Sequence, residues 1–290
     1  MRIKVGIKSL EEAGYFLRNG ADEVYFGLKM VPSHNASFAD EEQIVPVIRL
    51  ARRLRKKSLL ALNEIYQPEK YPFILDHARR MTDQGLDGII VCDPALLEYF
   101  KAKRFSTYFV SSVVSACFNS QAMEFYRELG VRRVTLHNQV MPSEAKKMMK
   151  AASGMETAIF VPSVFRMENI VPFCFFMYPD SQGMYGMCHH ACTLKYKCGR
   201  RDFAQPSANL YEQAHFLYDF HKLGVDWLKV PRQLNTPKLV AEFTITKFLN
   251  GLLEKGLDRD TFAVALAELI ERVDMNKYGK SFDLKPFPKG

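Results

Sequence analysis

Short apolar runs alternate with longer amphipathic stretches along most of the chain. Four of the apolar runs follow a turn that contains a glycine, at Gly20, Gly85, Gly130 and Gly224. A glycine at the end of a helical stretch supplies the left-handed backbone conformation that closes the helix. Because a buried strand follows each turn at once, the pattern predicts that helices and strands alternate.

The apolar runs predict eight strands: Ile3–Ile7, Glu23–Phe26, Ser58–Leu62, Gly88–Val91, Thr107–Val110, Arg133–Leu136, Glu156–Phe160 and Asp226–Val230. The stretches between them predict helices at Glu11–Arg18, Glu42–Arg55, Tyr71–Gln84, Ala95–Lys103, Gln121–Leu129, Ser143–Ala152 and Tyr211–Lys222. Eight strands that alternate with helices are typical of the α/β class and of a closed (β/α)8 barrel of the TIM type. An open doubly wound sheet is the alternative, and the strand count favours the barrel.

The barrel is expected to occupy residues 1–255, because no linker rich in proline, glycine or serine interrupts that range. Beyond the eighth strand, Pro237–Lys255 and Arg259–Val273 read as helices. The first closes the barrel and the second is an addition. Residues 256–290 therefore form a C-terminal helix followed by a polar tail.

Composition and charge narrow the possible partners. The chain has 48% hydrophobic residues but no apolar run near the roughly 18 residues of a membrane span. The opening MRIKVGIKSL lacks the apolar core of a signal peptide, which predicts a reducing, cytoplasmic compartment. Forty Lys and Arg face 32 Asp and Glu, a formal charge of +8 that favours RNA or a carboxylated small molecule. Many proteins without an anionic partner carry a similar charge.

Four of the six cysteines lie within 25 residues, at Cys174, Cys188, Cys192 and Cys198. In a reducing compartment, clustered cysteines indicate metal ligands more often than disulfides. His189 and His190 would complete a mixed zinc site, whereas four irregularly spaced thiolates suit an iron-sulfur cluster equally well. Both metals remain open at this point.

The cysteines fall in residues 161–205, a long insertion between strand seven and its helix. In (β/α)8 enzymes this is the carboxyl face, where active sites lie. A bound metal would give so long a loop a reason to be ordered. Near the same face we predict substrate-binding residues at the ends of strands: Asn63, Glu64, His137 and Arg232. For Arg232 the alternative is a salt bridge at the rim, and for His137 a hydrogen-bonded scaffold role.

A series of short motifs runs through the chain in a characteristic order. They are Gly20-Ala21-Asp22-Glu23-Val24-Tyr25-Phe26-Gly27, Leu62-Asn63, Asp87-Gly88-Ile89-Ile90-Val91-Cys92-Asp93, Asn119-Ser120, Glu128-Leu129-Gly130-Val131-Arg132-Arg133-Val134, Glu144, Gly186-Met187-Cys188, Cys192 and Tyr196. With these motifs the chain resembles the collagenase-like peptidase family U32 from strand two to strand eight. Within that family it is most similar to the UbiV-type iron-sulfur members.

The resemblance implies a [4Fe-4S] cluster and oxygen-independent hydroxylation together with a UbiU-like partner subunit. The substrate would be an aromatic small molecule, such as a ubiquinone precursor, or an RNA base, which other relatives modify. Cys174, Cys188 and Cys192 stand at the places of three cluster ligands, and Lys195-Tyr196 and Gly199-Arg200 also match.

The fourth ligand does not carry over. The UbiV type takes it from the loop after strand two, but residues 28–35 of this chain contain no cysteine. Cys198 is the nearest substitute. Cys92 and Cys117 are less favoured because a small buried thiol usually packs as a hydrophobe.

Peptidase activity is a weaker implication of the resemblance. The chain has no His-Glu-x-x-His and no Gly-x-Ser-x-Gly motif. After strand eight, many family members read Lys-Ile-Glu-Gly-Arg, whereas this chain reads Lys229-Val230-Pro231-Arg232-Gln233 and lacks the acid. The other alternative is a zinc-stabilised barrel that binds or scaffolds without catalysis.

Overall fold

Eight parallel strands close into a barrel, as the strand count predicted. The computed structural model describes residues 1–31, 33, 37–151, 154–161, 195–204, 210–230 and 236–272. The strands in this part are β1 Arg2–Gly6, β2 Glu23–Leu28, β3 Ser37–Ala39, β4 Lys57–Leu62, β5 Gly88–Val91, β6 Tyr108–Ser111, β7 Val131–Thr135, β8 Glu156–Phe160, β9 Lys195–Cys198, β10 Arg201–Ala204 and β11 Trp227–Val230. The barrel order is β1-β11-β8-β7-β6-β5-β4-β2, and β1 pairs with β2 to close the ring.

Helices surround the barrel and cover the outer faces of its strands. They are α1 Leu10–Arg18, α2 Glu41–Arg53, α3 Tyr71–Asp83, α4 Pro94–Ala102, α5 Ser120–Glu128, α6 Pro142–Ala151, α7 Leu210–Lys222, α8 Thr236–Glu254 and α9 Arg259–Arg272. The last helix packs against α7 and α8. Arg259 fixes it there by donating from two nitrogens to the Asp219 carboxylate, each at 2.8 Å. Within the ranges given above, no helix combines the length and apolar character needed to cross a bilayer.

Three short strands were not predicted. The three-residue β3 pairs with Gly27 and Leu28 at the end of β2, beyond the residues that β1 pairs with. Strands β9 and β10 form an antiparallel hairpin inside the insertion after β8, which sequence reasoning treated as a loop without regular structure. These runs are too short for hydrophobic periodicity to reveal.

The glycine turns are confirmed, and the residue two positions after the glycine has a further role. Gly20 and Gly224 have φ angles of 111° and 85°, in the region that favours glycine. In three of the turns an aspartate follows, and its carboxylate accepts a hydrogen bond from the first part of a neighbouring strand: Ile3 N to Asp22 at 3.0 Å, Ser58 N to Asp87 at 2.8 Å and Thr157 N to Asp226 at 2.8 Å. The Gly-x-Asp pattern thus ties adjacent strands together at the amino end of the barrel.

A buried ionic network fills the amino half of the barrel interior. Arg133 donates from Nη1 to both carboxylate oxygens of Glu23, at 2.8 and 3.0 Å, and both side chains are fully buried. Its Nε donates to Glu156 at 3.0 Å. The guanidinium carbon lies 3.8 Å from the ring centroid of Trp227, a stacking contact that favours the cation.

Glu156 makes the stability of the barrel depend on pH. Burial opposes its ionisation, but a hydrogen bond from Tyr108 and the charges of Arg133 and Arg2 outweigh it and hold the pKa at about 2. A carboxyl whose folded pKa lies below its unfolded value stabilises the fold above the unfolded pKa. That stability is lost as the pH falls through the folded pKa.

We therefore expect wild-type protein to lose more unfolding free energy than Glu156→Gln between about pH 4.5 and pH 2. Urea titrations at stepped pH values measure this difference, since the Gln variant cannot change charge at this position. Parallel curves for the two proteins over that window would show that Glu156 contributes no linkage.

Candidate functional site at the carboxyl end of the barrel

Polar side chains gather at the carboxyl end of the barrel, here called the mouth. Asn63, Cys92 and Ser112 directly follow β4, β5 and β6, and His137 lies two residues beyond β7. Each of the four is at most 5% exposed. Asn63 Nδ2 donates to Ser112 Oγ at 3.3 Å, which joins the ends of two strands separated by β5. These side chains therefore face the barrel interior.

His137 is held as a neutral imidazole. Its Nδ1 accepts a hydrogen bond from the backbone N–H of Gln139 at 3.1 Å. Burial lowers the pKa of the ring, and Phe118 packs against it with ring centroids 4.7 Å apart. Because Nδ1 accepts, the proton of the neutral ring sits on Nε2, which can donate a hydrogen bond to a ligand.

The two acids near Cys92 differ in role. Asp93 accepts from the backbone N–H of Ala95 at 2.9 Å and from the Tyr71 hydroxyl at 2.8 Å, so it caps α4 and anchors α3. Glu64 is half-buried beside the mouth, and its charge contributes to a raised Cys92 thiol pKa. Asp93 therefore has a structural role in holding two helices, and Glu64 is the acid of the two that lies beside the mouth.

Cys92 and Cys117 are both buried thiols in apolar surroundings. Cys92 packs with Val113, Val114 and Phe160. Burial raises the pKa of the Cys92 thiol well above its ordinary value, and burial raises that of Cys117 to about 12. Both thiols pack in the protein interior as small apolar side chains do.

Cys198 lies on the hairpin formed by β9 and β10. The register pairs Cys198 with Arg201 and Lys197 with Asp202, so Gly199 and Arg200 form the connecting two-residue turn. Gly199 has a φ of 62°, and glycine at this first turn position is typical of a tight hairpin turn. Cys198 therefore sits at the end of a strand within the insertion that leaves the barrel after β8.

Cys174, Cys188, Cys192 and Arg232 lie outside the described residues. Within the described ranges, no cluster of three or more His, Cys, Asp or Glu side chains is arranged to hold a metal ion. The ligand set thus stays the prediction made from the cysteine spacing and the resemblance.

Sequence reasoning missed the charges inside the barrel. Four charged residues lie on barrel strands and are each at most 5% exposed: Lys4, Glu23, Arg133 and Lys229. The available signal was a charged residue within an otherwise apolar strand, as in WLKV around Lys229. Buried charges of this kind mark either a structural network or a functional centre.

Comparison with known proteins identifies the family. Residues 8–284 match the model of peptidase family U32. The tRNA hydroxylation protein P1 of Bacillus subtilis (strain 168) is 25% identical over 141 residues, which are 48% of this chain and 33% of that protein. The tRNA hydroxylation protein P of Escherichia coli (strain K12) is 23% identical over 209 residues, 70% of this chain and 46% of that protein. The chain therefore spans a third to about half the length of these relatives.

A solved structure supports the architecture. A protein of Pseudomonas aeruginosa described as a dihydrodipicolinate synthetase superposes with a TM-score of 0.53 at 9% identity, covering 94% of this chain and 83% of that one. A U32 peptidase aligns with 56% of this chain and 68% of its own at 16% identity and a TM-score of 0.47. At such identities a structural likeness concerns the fold alone, whereas the family match covers most of the sequence. The chain belongs to peptidase family U32.

Proposed function

We propose that this chain is an iron-sulfur protein that takes part in oxygen-independent hydroxylation, with a base of tRNA as the favoured substrate. The observation that carries the proposal is the place of the cysteines in the order of strands and helices. All four clustered cysteines belong to the segment that leaves the carboxyl end of the barrel after β8, and Cys198 lies on the hairpin in that segment. Two relatives named as tRNA hydroxylation proteins support the reaction class.

The available donors fit a thiolate-bound cluster. Cys198 is the proposed fourth ligand beside Cys174, Cys188 and Cys192, because it belongs to the same segment, whereas Cys92 and Cys117 pack in the protein interior. When bound, a [4Fe-4S] cluster supplies electron transfer or Lewis-acid chemistry. Zinc held by the same thiols is the alternative that metal analysis separates.

The mouth would bind and orient the ring that is modified. His137 presents Nε2–H as a donor, and the pair formed by Asn63 and Ser112 offers further hydrogen-bonding groups. Phe160 at the end of β8 contributes an apolar surface that excludes water. A heteroaromatic ring with polar edges matches this combination of donors and apolar contact.

Charge favours RNA as the carrier of that ring. The chain carries a formal charge of +8. Arg200 is exposed at the hairpin turn, and Lys195, Lys197 and Arg201 flank it in sequence. Basic residues beside a site attract phosphates through counterion release, which supplies much of the affinity for nucleic acids.

A second candidate is an aromatic small molecule such as a ubiquinone precursor, with a UbiU-like partner subunit completing the site. The burial of the mouth favours it, since Asn63, Ser112 and His137 are at most 5% exposed. A small ring could enter such a site without the unstacking that a base in RNA requires.

The salt dependence of tRNA binding distinguishes tRNA from a small aromatic molecule as the substrate. We expect affinity for total tRNA to fall steeply with salt, and Arg200→Gln to reduce the slope of log affinity against log salt by about one. Lys147→Gln, an exposed residue of α6, provides a control with the same charge change. Unchanged slopes for Arg200→Gln, together with salt-insensitive binding of hydroxybenzoate, would reject tRNA and favour the small aromatic molecule.

A further inference from the structure

The helices α2, α3 and α4 end side by side at the amino end of the barrel, opposite the mouth. They lead into β4, β5 and β6, which are neighbours in the barrel order. Arg52, in the last turn of α2, packs on the turn that follows α3, where a Cβ on Gly85 would lie 2.5 Å from its Nη1. Arg79 of α3 donates from Nη2 to the backbone oxygen of Lys103, just beyond α4, at 2.9 Å. These contacts join the three helix ends into one surface.

This surface is strongly basic. Residues 49–57 contain six Lys and Arg, residues 101–104 contain three, and neither range contains an acidic residue. Lys56 pairs with Asp22 at 2.7 Å, whereas no carboxylate of the described residues pairs with the six exposed cations that form what we call the amino-end surface. They are Arg52, Arg53, Arg55, Lys101, Lys103 and Arg104. The positive charge of this surface is therefore available to a partner.

Two of these arginines have a strained backbone. Arg55 and Arg104 have φ angles of 55° and 52°. The residue after each donates its backbone N–H to the carbonyl oxygen five positions earlier, at 2.9 Å, which closes the helix. Gly85 takes the same position after α3, where the corresponding distance is 3.1 Å. Glycine adopts this conformation without steric cost, whereas a residue with a side chain does not. The chain thus has arginine at two turns whose conformation favours glycine.

Helix stability accounts for only part of this charge. Cations in the last turn of a helix stabilise its dipole, and Arg52 and Arg53 lie there in α2. Arg55 and Arg104 lie beyond the last turn, and their backbone conformation opposes stability. Residues held in such conformations cluster at functional sites. A role in binding therefore explains these two arginines better than a role in folding.

Phosphate groups suit a surface of this kind, because the guanidinium of arginine matches phosphate geometry with paired hydrogen bonds. RNA and an anionic membrane both present phosphates. A basic surface that binds a membrane commonly adds apolar side chains that enter the bilayer. Among the described residues, none of the large exposed hydrophobic side chains lies in residues 49–57, 79–87 or 101–104. RNA is therefore the partner that fits this surface.

We propose that the amino-end surface binds the sugar-phosphate backbone of RNA, at a place separate from the mouth. The choice of RNA over other phosphate polymers rests on the proposed tRNA substrate. Helix α2 has 13 residues and is about 20 Å long, so the surface and the mouth are separated by roughly that distance along the wall of the barrel. Fewer than about ten base pairs of a duplex span it. One RNA molecule can thus contact the amino-end surface while another part of it reaches the mouth.

Binding of a duplex RNA by the full chain tests the proposal. A duplex of about 20 base pairs offers phosphates but no unpaired base to enter the mouth. We expect Arg55→Gly and Arg104→Gly each to reduce the slope of log affinity against log salt by about one, and the double variant by about two. Because glycine suits both backbone conformations, these variants should fold like wild type, which urea unfolding verifies.

Two control variants separate the position of a charge from its mere presence. Arg55→Lys keeps the charge and should retain the wild-type slope, and Lys147→Gln, on the exposed face of α6, should leave it unchanged. A wild-type slope in the double variant, or no duplex binding by wild type, would overturn the proposal. Loss of binding to phosphatidylserine vesicles in the double variant, with an unchanged RNA slope, would assign the surface to a membrane and overturn it as well.

The proposed function is judged by a different variant. Arg200→Gln tests the basic residues beside the cysteines with tRNA, whereas Arg55→Gly and Arg104→Gly are measured with the duplex. An altered tRNA slope in Arg200→Gln, with wild-type duplex slopes in the two glycine variants, rejects the amino-end surface alone. The reverse pattern supports the amino-end surface and counts against tRNA at the mouth.

Discussion

Replacing Glu23 with glutamine is expected to lower the free energy of unfolding by about 3–5 kcal/mol. Glu23 is fully buried and accepts two hydrogen bonds from Arg133, and its charge also favours the protonated forms of Lys4 and Lys229. The neutral amide leaves the Arg133 guanidinium with Glu156 as its remaining carboxylate partner among the contacts described above, in a region that water does not reach. Removing one partner of a buried ion pair is costly for this reason.

Equilibrium urea unfolding followed by the fluorescence of Trp227 measures this effect. Trp227 is the single tryptophan of the chain and stacks on the Arg133 guanidinium. Glu98→Gln, on the exposed face of α4, is the matched control and should change stability by less than about 0.5 kcal/mol. Combining Glu23→Gln with Arg133→Met should recover part of the loss, because the guanidinium that has lost Glu23 is then gone. A loss below about 1 kcal/mol for Glu23→Gln would contradict the role assigned to the network.

Replacing Cys198 with serine is expected to remove most of the iron from anaerobically purified protein, whereas Cys92→Ser should leave the iron content unchanged. Cys198 lies on the hairpin of the insertion, while the Cys92 thiol is packed against Val113, Val114 and Phe160. Loss of a thiolate ligand weakens a cluster directly, but a change in a buried protonated thiol affects only packing. Equal iron loss in both variants, or loss in Cys92→Ser alone, would move the fourth ligand away from Cys198.

Much of the barrel could be predicted because its signal is local. Each Gly-x-Asp turn marks the end of a helix and the start of a strand within a few residues. The strands Gly88–Val91 and Glu156–Phe160 match their predictions at both ends. The charged interior could not be predicted in the same way. Both faces of a barrel strand are buried, so alternation does not tell which face a lysine takes. Moreover, Lys4 and Lys229 become neighbours only when β1 closes on β11.

The sequence predicted where residues of the candidate site lie but not how they are held, for a similar reason. Asn63 and His137 follow strands, so their place at the carboxyl end follows from the order of elements, and the structure puts both there. Their roles toward a substrate remain predictions. The hydrogen bond from Gln139 to His137, which selects the tautomer, depends on a loop conformation that no residue pattern reveals.

The most direct test of the central claim, that the cysteine segment holds an iron-sulfur cluster beside the barrel mouth, is the metal and sulfide content of the anaerobically purified chain. We expect about four iron and about four acid-labile sulfide per chain, with the broad visible absorption of thiolate-ligated clusters. Stoichiometric zinc without sulfide, or no metal at all, would contradict the account and leave the U32 barrel without the chemistry proposed for it.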